Sequence, residues 1–233
     1  MKAVFDDYID NAFDDRNQSE WKKQVLAQNY RKFFPEDKIV PVLDIGIGRG
    51  EMLWSMREWE YVNYNGVDIS PSTVEFCSKL GYKCQLVDDT VSFLDDGGSK
   101  YAMITMIDVV EHIPKKELAA FIKAAHEALL PGGKVIIQTP NMQAPGATQT
   151  RYHDITHEVG LDERSLGQLL KISGFRSFKF HGYEEYFGNS PQRILRRLLR
   201  RGYQSAVRLC RNINGTQNKS ILHPVFFVVA TKD

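Results

Sequence analysis

An apolar strand that runs into a glycine-rich turn and a helix, residues 40–51, constrains this chain more than any other stretch. Gly46, Gly48 and Gly50 allow a tight turn with no Cβ in the way of a ligand. The helix that follows, predicted from Glu51 to about Trp59, directs its partly positive N-terminus at whatever lies over the turn. The strand is apolar at Val40, Val42, Leu43 and Ile45. This arrangement predicts a site for a nucleoside-containing ligand.

The spacing of the glycines narrows the choice of ligand. Dinucleotide sites follow G-x-G-x-x-G, but Glu51 stands here where the third glycine would be. Asp44 precedes the turn, and its carboxylate suits a ligand with an ammonium group and repels a pyrophosphate. A P-loop is excluded because no Gly-Lys-Ser/Thr follows. The D-x-G-x-G-x-G pattern resembles motif I of the class I S-adenosylmethionine-dependent methyltransferases, which implies S-adenosyl-L-methionine as the cofactor.

The composition of the chain limits which partners, metal sites and locations are expected. The chain has 233 residues, 42% hydrophobic and 25% charged, with a net charge of +1, so no nucleic-acid partner is expected. Its three cysteines lie in no metal-like spacing, and we expect no metal. With no apolar run near the roughly 20 residues of a membrane span and no signal peptide, we expect a cytoplasmic protein. The oligomeric state stays open.

Strand and helix patterns alternate five-fold from the first strand to strand five, which predicts an α/β fold with a doubly wound, mostly parallel sheet. The resemblance implies a seven-stranded Rossmann-like methyltransferase fold whose final strand, about Val225 to Ala230, lies antiparallel between strands six and five. It also implies an N-terminal helical lid, residues 1–35; the alternative for this region is a helix that packs on the sheet. The methyltransferase domain would then be residues 36–233, with an acceptor-side loop at 140–165 and a basic helical insertion at about 190–212.

Acidic residues follow the predicted strands where a cofactor would bind. Asp68 ends the second strand and can accept both ribose hydroxyls of an adenosine ligand, or it can start a turn before the next helix. We place the adjoining Ile69 in the same site. In the resembled family an acid after strand three accepts the adenine amino group. That role falls on Asp89, or otherwise on Asp88.

The alternative for either acid is a helix N-cap, and Thr90 follows them in the same site. Strand four, Tyr101 to Ile107, leads to Asp108 at the end of the strand where ligands bind in open α/β sheets. We count Ile107 and Asp108 as cofactor contacts. The segment from Asp108 to Pro114 resembles the ubiquinone-pathway O-methyltransferases. Its His112 is either a general base or a structural histidine.

The octet from Arg151 to Glu158 offers further candidates. His153 and His157 are four residues apart, so a helix would place them on one face. Three interpretations remain open: a general base with an orienting acid, a structural loop, or a divalent metal site, which the Ile155-Thr156 pair disfavours. We take His157, His153 and His112 as candidate bases, in that order.

The run from Thr139-Pro140-Asn141 through the octet to Gly174-Phe175 resembles methyltransferases of surface-polysaccharide and lipopolysaccharide assembly. The resemblance implies a sugar or sugar-linked phosphate acceptor, with Arg151 pairing to a phosphate. The candidate acceptor contacts are Tyr8, Asn141, Arg151, Tyr152 and Asp154. The alternatives are a small-molecule O-methyltransferase of quinone or secondary metabolism, and a non-catalytic cofactor-binding partner subunit.

Apolar pairs and arginine pairs alternate along residues 193–211, so a helix there has one apolar and one strongly basic face. Such a helix can dock on the sheet with a solvated basic edge. It can also contact an anionic membrane surface or a phosphorylated acceptor. RNA is less favoured, because no RNA-binding module accompanies the patch.

Overall fold

A seven-stranded sheet forms the centre of the protein, seen in a computed structural model that describes residues 20–95, 100–185, 188, 190–216 and 220–233. The strand order is β3-β2-β1-β4-β5-β7-β6, and β7 alone runs antiparallel, between β5 and β6. This confirms the expected fold. The strands are β1 Val42–Ile45, β2 Tyr64–Asp68, β3 Cys84–Leu86, β4 Tyr101–Ile107, β5 Leu129–Pro140, β6 Ser177–Gly182 and β7 Val225–Thr231.

Helices cover both faces of the sheet. Single 3-10 turns follow α1 and β4, at Arg31–Phe33 and Val110–His112. In the described residues the α-helices are α1 Glu20–Tyr30, α2 Glu51–Glu58, α3 Pro71–Lys79, α4 Thr90–Asp95, α5 Leu118–Ala128, α6 Ala147–His153, α7 Glu163–Ile172 and α8 Pro191–Ile213.

Two apolar cores lie on opposite faces of the sheet. One packs α5 and α7 against the sheet through side chains such as Phe121 and Leu166, and the other packs α1 and α2 through Tyr30 and Met56. All four residues of β1 are buried, the acidic Asp44 together with three apolar side chains. Because β1, β2 and β4 are parallel neighbours, the segments that follow them meet at one edge of the sheet.

The junction between α5 and β5 differs from the prediction. The sequence suggests a helix to Leu130 that Pro131-Gly132-Gly133 ends, but α5 ends at Ala128 and β5 already begins at Leu129. The Gly132 N–H donates to the carbonyl of Lys232, and the Lys232 N–H donates to Gly133. Pairing with the segment after β7 therefore holds the Pro-Gly-Gly run in the strand.

Helix α8 does not pack on the protein through its apolar face. Its one buried residue is Gln204, which lies on the arginine side of the helix. Arg200 forms an ion pair with Glu184, and Arg211 donates to Ser220 at 2.9 Å. The exposed apolar side chains are Ile194, Leu195, Leu198, Leu199, Leu209 and Ile213. The basic face thus turns toward the protein and the apolar face toward solvent.

No helix within the described ranges combines the length and apolar character needed to cross a bilayer.

Candidate functional site

The glycine turn adopts a backbone that other residues rarely take. Gly46, Gly48 and Gly50 all have positive φ, at 73°, 48° and 77°. A Cβ on Gly46 would lie 2.5 Å from Cγ2 of Val109, so the turn also approaches the segment after β4 closely. Gly50 is the N-cap of α2 and has no side-chain cap. The first-turn amides of α2 therefore face the turn, as an anionic or polar ligand group requires.

Asp44 lies beneath this turn. Its side chain is 1% exposed and accepts a hydrogen bond of 2.6 Å from the Thr105 hydroxyl on β4. Burial raises the pKa of Asp44 well above its usual range, although the Thr105 hydrogen bond opposes the shift. Asp44 thus supports the turn from below, and a ligand ammonium group near it would offset the cost of its burial.

Asp68 ends β2 beside the glycine turn. It accepts a hydrogen bond of 2.8 Å from the Ser70 amide. Burial raises its pKa, against the lowering effect of the backbone amides of Ser70, Ile47 and Gly48. Ser70, not Asp68, caps α3, since its hydroxyl accepts from the Thr73 amide at 3.3 Å. Asp68 and the half-buried Ile69 therefore stand where a ribose contact is expected.

Two acidic residues, Asp88 and Asp89, follow β3. Asp89 accepts a hydrogen bond of 2.7 Å from the Ser92 amide in the first turn of α4, which begins at Thr90. That hydrogen bond lowers the pKa of Asp89. The alternative prediction of a helix cap therefore describes Asp89. Asp88 and Asp89 are both exposed, and Thr90 is half-buried.

Asp108 follows the half-buried Ile107 at the end of β4. It is a non-glycine residue with a positive φ of 55°. The Gln138 amide donates to both carboxylate oxygens, at 3.1 and 3.0 Å, and the buried Tyr30 hydroxyl donates to the Gln138 carbonyl. Asp108 reaches solvent, yet the surrounding protein desolvates it and raises its pKa. A chain of hydrogen bonds from α1 therefore orients this carboxylate.

Helix α1 lies against the same edge. Lys22 pairs with Glu51 at the start of α2, and the Lys23 ammonium lies 4.0 Å from the centroid of the Trp54 ring. Tyr8, a predicted acceptor contact, lies outside the described residues. Tyr30 and Gln138 were not predicted as site residues. Gln138 lies near the carboxyl end of a central strand, and that position is the signal that would have found it.

A second hydrogen-bonded group forms where the octet meets the segment after β4. The Thr156 hydroxyl donates to Asp154 at 2.6 Å and lies 2.8 Å from Nδ1 of His112. A hydroxyl has one proton, so Thr156 must accept from His112, which then carries its proton on Nδ1 and its lone pair on Nε2. Burial, followed by the charge of His157, lowers the pKa of His112. The lowered pKa favours the neutral form of the His112 ring.

Backbone pairing brings His157 to this group. The amides of Glu158 and Val159 both donate to the carbonyl of Glu111, at 2.8 and 3.1 Å. The imidazole rings of His112 and His157 consequently lie 4.8 Å apart, edge to face. Glu111, with 2% of its surface exposed, completes a cluster that sequence reasoning missed. Its place in the Asp108–Pro114 segment was the available signal.

The other octet residues are placed differently from His157. Helix α6 ends at His153 and a turn follows, so His153 and His157 do not share a helix face. His153 is exposed, as is Tyr152. The Arg151 guanidinium donates to the carbonyls of His157 and Glu158, at 2.6 and 3.0 Å. Arg151 therefore braces the loop that carries His157.

Asn141 is a correction to the prediction of an acceptor contact. It is 1% exposed, and its amide donates to the carbonyls of Ile221 and His223, at 2.8 and 2.9 Å. Its side-chain oxygen accepts from the Gln143 amide at 2.9 Å. These bonds tie the end of β5 to the segment before β7, which is a structural role.

Comparisons with known proteins identify the family of the chain. The family model described as "Methyltransferase domain" matches residues 16–178. The ubiquinone biosynthesis O-methyltransferase of Idiomarina loihiensis is 27% identical over 108 residues, which are 43% of this chain and 42% of that protein. The matched region thus spans less than half the length of this curated relative.

Solved structures share the fold. A SAM-dependent methyltransferase from Archaeoglobus fulgidus has a TM-score of 0.67 at 22% identity, covering 90% of this chain and 94% of its own. The Burkholderia thailandensis 1,6-didemethyltoxoflavin-N1-methyltransferase, solved with S-adenosylhomocysteine, has a TM-score of 0.62 at 15% identity, covering 99% and 86%. With a family match over more than half of its length, this chain belongs to the class I S-adenosylmethionine-dependent methyltransferases.

Proposed function

We propose that the protein transfers the methyl group of S-adenosyl-L-methionine to a hydroxyl oxygen of a small acceptor, a sugar or a phosphorylated sugar derivative. The observation that carries the proposal is the meeting of two groups at one edge of the sheet. The glycine turn with Asp44 and Asp68 suits the cofactor, and the His112–Thr156–Asp154 chain lies one turn beyond Asp108.

The chemistry asks little of the protein beyond alignment and proton removal. The sulfonium methyl group is already activated, so holding it in line with the acceptor oxygen supplies most of the acceleration. His112 Nε2 takes the hydroxyl proton as the O–C bond forms and the C–S bond breaks. Asp154 stabilises the resulting imidazolium through Thr156. His157 is the alternative base, because its ring lies beside that of His112.

A cleft at the edge of α1 and α8 supports an anionic sugar acceptor. Trp21, Gln192, Arg193 and Arg196 line a cavity of about 250 Å³. An indole ring can stack on the apolar face of a sugar ring, and guanidinium groups pair bidentately with phosphate. A phenolic precursor of a quinone is the second candidate acceptor, which the ubiquinone O-methyltransferase relative favours.

We further propose that α1, with the rest of residues 1–35, acts as a lid over the cofactor. The Lys22–Glu51 ion pair ties α1 to the start of α2, and the Tyr30–Gln138 hydrogen bond ties it to β5. Closing a lid would exclude water from the site while methyl transfer takes place.

We also propose that α8 rests on an anionic membrane surface. Its apolar side chains face solvent, with Leu199 64% and Ile213 76% exposed, and its 23 residues include seven arginines. The sequence has no Asp or Glu between Glu185 and Asp233, so its charge complements acidic lipids. An acceptor carried at a membrane would then meet the cleft that Arg193 and Arg196 line.

The test has two stages. Calorimetric titration with S-adenosylhomocysteine, with NAD as the control, should show binding of the former alone, and Asp68→Ala should abolish it. Methyl-labelled cofactor is then offered with nucleotide-linked and phosphorylated sugars and with simple phenols. Label in a sugar supports the first acceptor, and label in a phenol supports the second. Cofactor binding with no label transfer to either class would contradict both acceptors and favour a non-catalytic subunit.

A further inference from the structure

Three side chains with metal-binding atoms converge beside the proposed base. One donor atom each from Glu111, His112 and His157 lies within 4.8 Å of the other two. Glu111 and His112 belong to the 3-10 turn after β4, and the two backbone hydrogen bonds to the Glu111 carbonyl bring in His157. The backbone itself therefore builds this cluster from two distant stretches of sequence.

The burial of the Glu111 carboxylate indicates that a ligand belongs in this cluster. The residue is 2% exposed, and neither carboxylate oxygen accepts a hydrogen bond of normal geometry from any residue that the structure describes. Burying a carboxyl group without a hydrogen-bond partner costs folding free energy unless a bound ligand interacts with it.

We infer that Glu111, His112 and His157 hold a divalent transition-metal ion, such as Zn²⁺, with open positions for the acceptor. Two imidazoles and one carboxylate form a donor set that such ions prefer, whereas Mg²⁺ and Ca²⁺ favour oxygen alone. Donor atoms bound at about 2 Å in a tetrahedral site lie about 3.3 Å apart. The three side chains therefore need to close only modestly around the ion.

The surroundings of His112 fit a metal ligand. Its Nδ1–H donates to Thr156, which donates to Asp154, so the ring is oriented with its lone pair on Nε2. Metal-bound histidines commonly donate their other ring N–H to a neighbouring oxygen, which fixes the tautomer and the direction of the ligand nitrogen. The same chain therefore orients Nε2 as a metal ligand when the ion is bound, and as the proposed base only when it is not.

The use of the ion deepens the proposed function and rests on it. Coordination of the acceptor hydroxyl would lower its pKa, and its proton would pass to solvent. The oxygen would then bond to the methyl carbon as the C–S bond breaks, releasing S-adenosylhomocysteine. Whether the ion binds is a separate question from whether methyl transfer occurs, so the two can fail independently.

The test titrates the purified full chain with Zn²⁺ in a calorimeter and with Co²⁺ by visible absorption. We expect one ion per chain and a d–d spectrum of low-coordinate Co²⁺. Glu111→Gln and His157→Asn should each weaken binding at least 10-fold. His153→Asn is the matched control, an exposed histidine four residues from His157, and should leave binding unchanged.

Three outcomes would overturn the site. The first is no Zn²⁺ or Co²⁺ binding by the unaltered chain, and the second is equal binding by the unaltered chain and both ligand variants. The third is a thiolate charge-transfer band, which would place the ion at a cysteine. Titration of every variant with S-adenosylhomocysteine checks that the fold and the cofactor half survive. If the unaltered chain does not bind S-adenosylhomocysteine, that result contradicts the proposed function instead.

Discussion

The Gln138 amide donates to both carboxylate oxygens of Asp108, at 3.1 and 3.0 Å. Asp108 lies in a left-handed backbone conformation, φ 55°, which is unfavourable for a residue with a side chain. Strain of this kind persists where the surroundings fix the residue, and a bidentate hydrogen bond from the next strand does so here. The pair therefore sets the direction of one carboxylate at the cofactor edge.

Replacing Gln138 with Met should weaken S-adenosylhomocysteine binding by about 10-fold, because one charge-assisted hydrogen bond is worth about 1.5–3 kcal/mol. Met keeps the length of the side chain but cannot hold the Asp108 carboxylate. The dissociation constant is measured by calorimetry. Gln168→Met, on the exposed face of α7, is the control and should bind as the unaltered chain does. Equal affinity of both variants would show that Asp108 needs no positioning.

Gly46→Ala should abolish measurable cofactor binding and lower thermal stability. The alanine pays for a left-handed φ of 73°, about 1–2 kcal/mol, and its methyl group collides with Val109 Cγ2 at 2.5 Å. Gly146→Ala separates the two effects. Gly146 has a φ of 82° with nothing within 4 Å of an added Cβ. If both variants lose the same amount of stability and keep the cofactor, the contact with Val109 is unimportant.

The cofactor half was accessible from sequence because its signals are local. Gly46, Gly48 and Gly50 follow the buried strand β1 directly. Asp68 ends β2 and Asp108 follows β4, the two parallel neighbours of β1. Strand order and these positions follow from hydrophobic pattern and chain direction. The ends of β4 were predicted to the residue, since its apolar run has clear flanks.

The acceptor half was less accessible because long-range contacts decide it. Asn141 is buried by the segment before β7, some 80 residues later in the chain. His157 meets His112 through a backbone bond to Glu111, not through the helical spacing to His153. Helix α8 shows the same limit, since its alternating pattern defines two faces without saying which one the protein covers.

Thr156→Val should lower turnover by about 10- to 100-fold, because His112 loses the acceptor that fixes its tautomer. Burial lowers the pKa of His112, so turnover should rise with pH along a limb that lies below about 6.5, the ordinary histidine value. In the valine variant His112 loses its link to Asp154, whose charge raises the pKa of His112. The rising limb of the pH profile should therefore move to still lower pH. Thr156→Ser keeps the hydroxyl and should restore both rate and profile. An unmoved limb in the valine variant would exclude His112 as the base.

Glu111→Gln should raise the melting temperature at pH 7 in the presence of a chelator. Burial raises the pKa of Glu111, so the folded chain keeps its proton while the unfolded chain releases one above about pH 4.3. The unaltered protein therefore loses stability as pH rises toward the folded-state pKa, and glutamine does not. A gain of about 1–3 kcal/mol corresponds to about 2–4 °C for each kcal/mol.

The gain from Glu111→Gln should shrink as the pH falls below about 4.3, where the unfolded state of the unaltered chain also becomes protonated. Glu117→Gln is the matched control, an exposed acid that follows the same turn, and it should change the melting temperature little. Thermal unfolding followed by circular dichroism at several pH values measures the difference. A variant that melts below the unaltered chain at pH 7 would mean that the carboxylate is satisfied in the folded state.

Helix α8 should carry the chain onto vesicles that contain acidic lipid. Leu198 and Leu199 are both exposed on its apolar face, and arginines such as Arg196 and Arg201 flank that face. Changing both leucines to Gln should reduce co-sedimentation with phosphatidylserine-containing vesicles at least 10-fold while leaving cofactor binding intact, because neither side chain supports the core.

Ile39→Gln, at an exposed apolar residue far from α8 in the sequence, is the control. Binding to neutral vesicles as strong as to acidic ones would remove the electrostatic part of the proposal. A leucine-dependent dimer without vesicle binding would replace the membrane with a second copy of the chain.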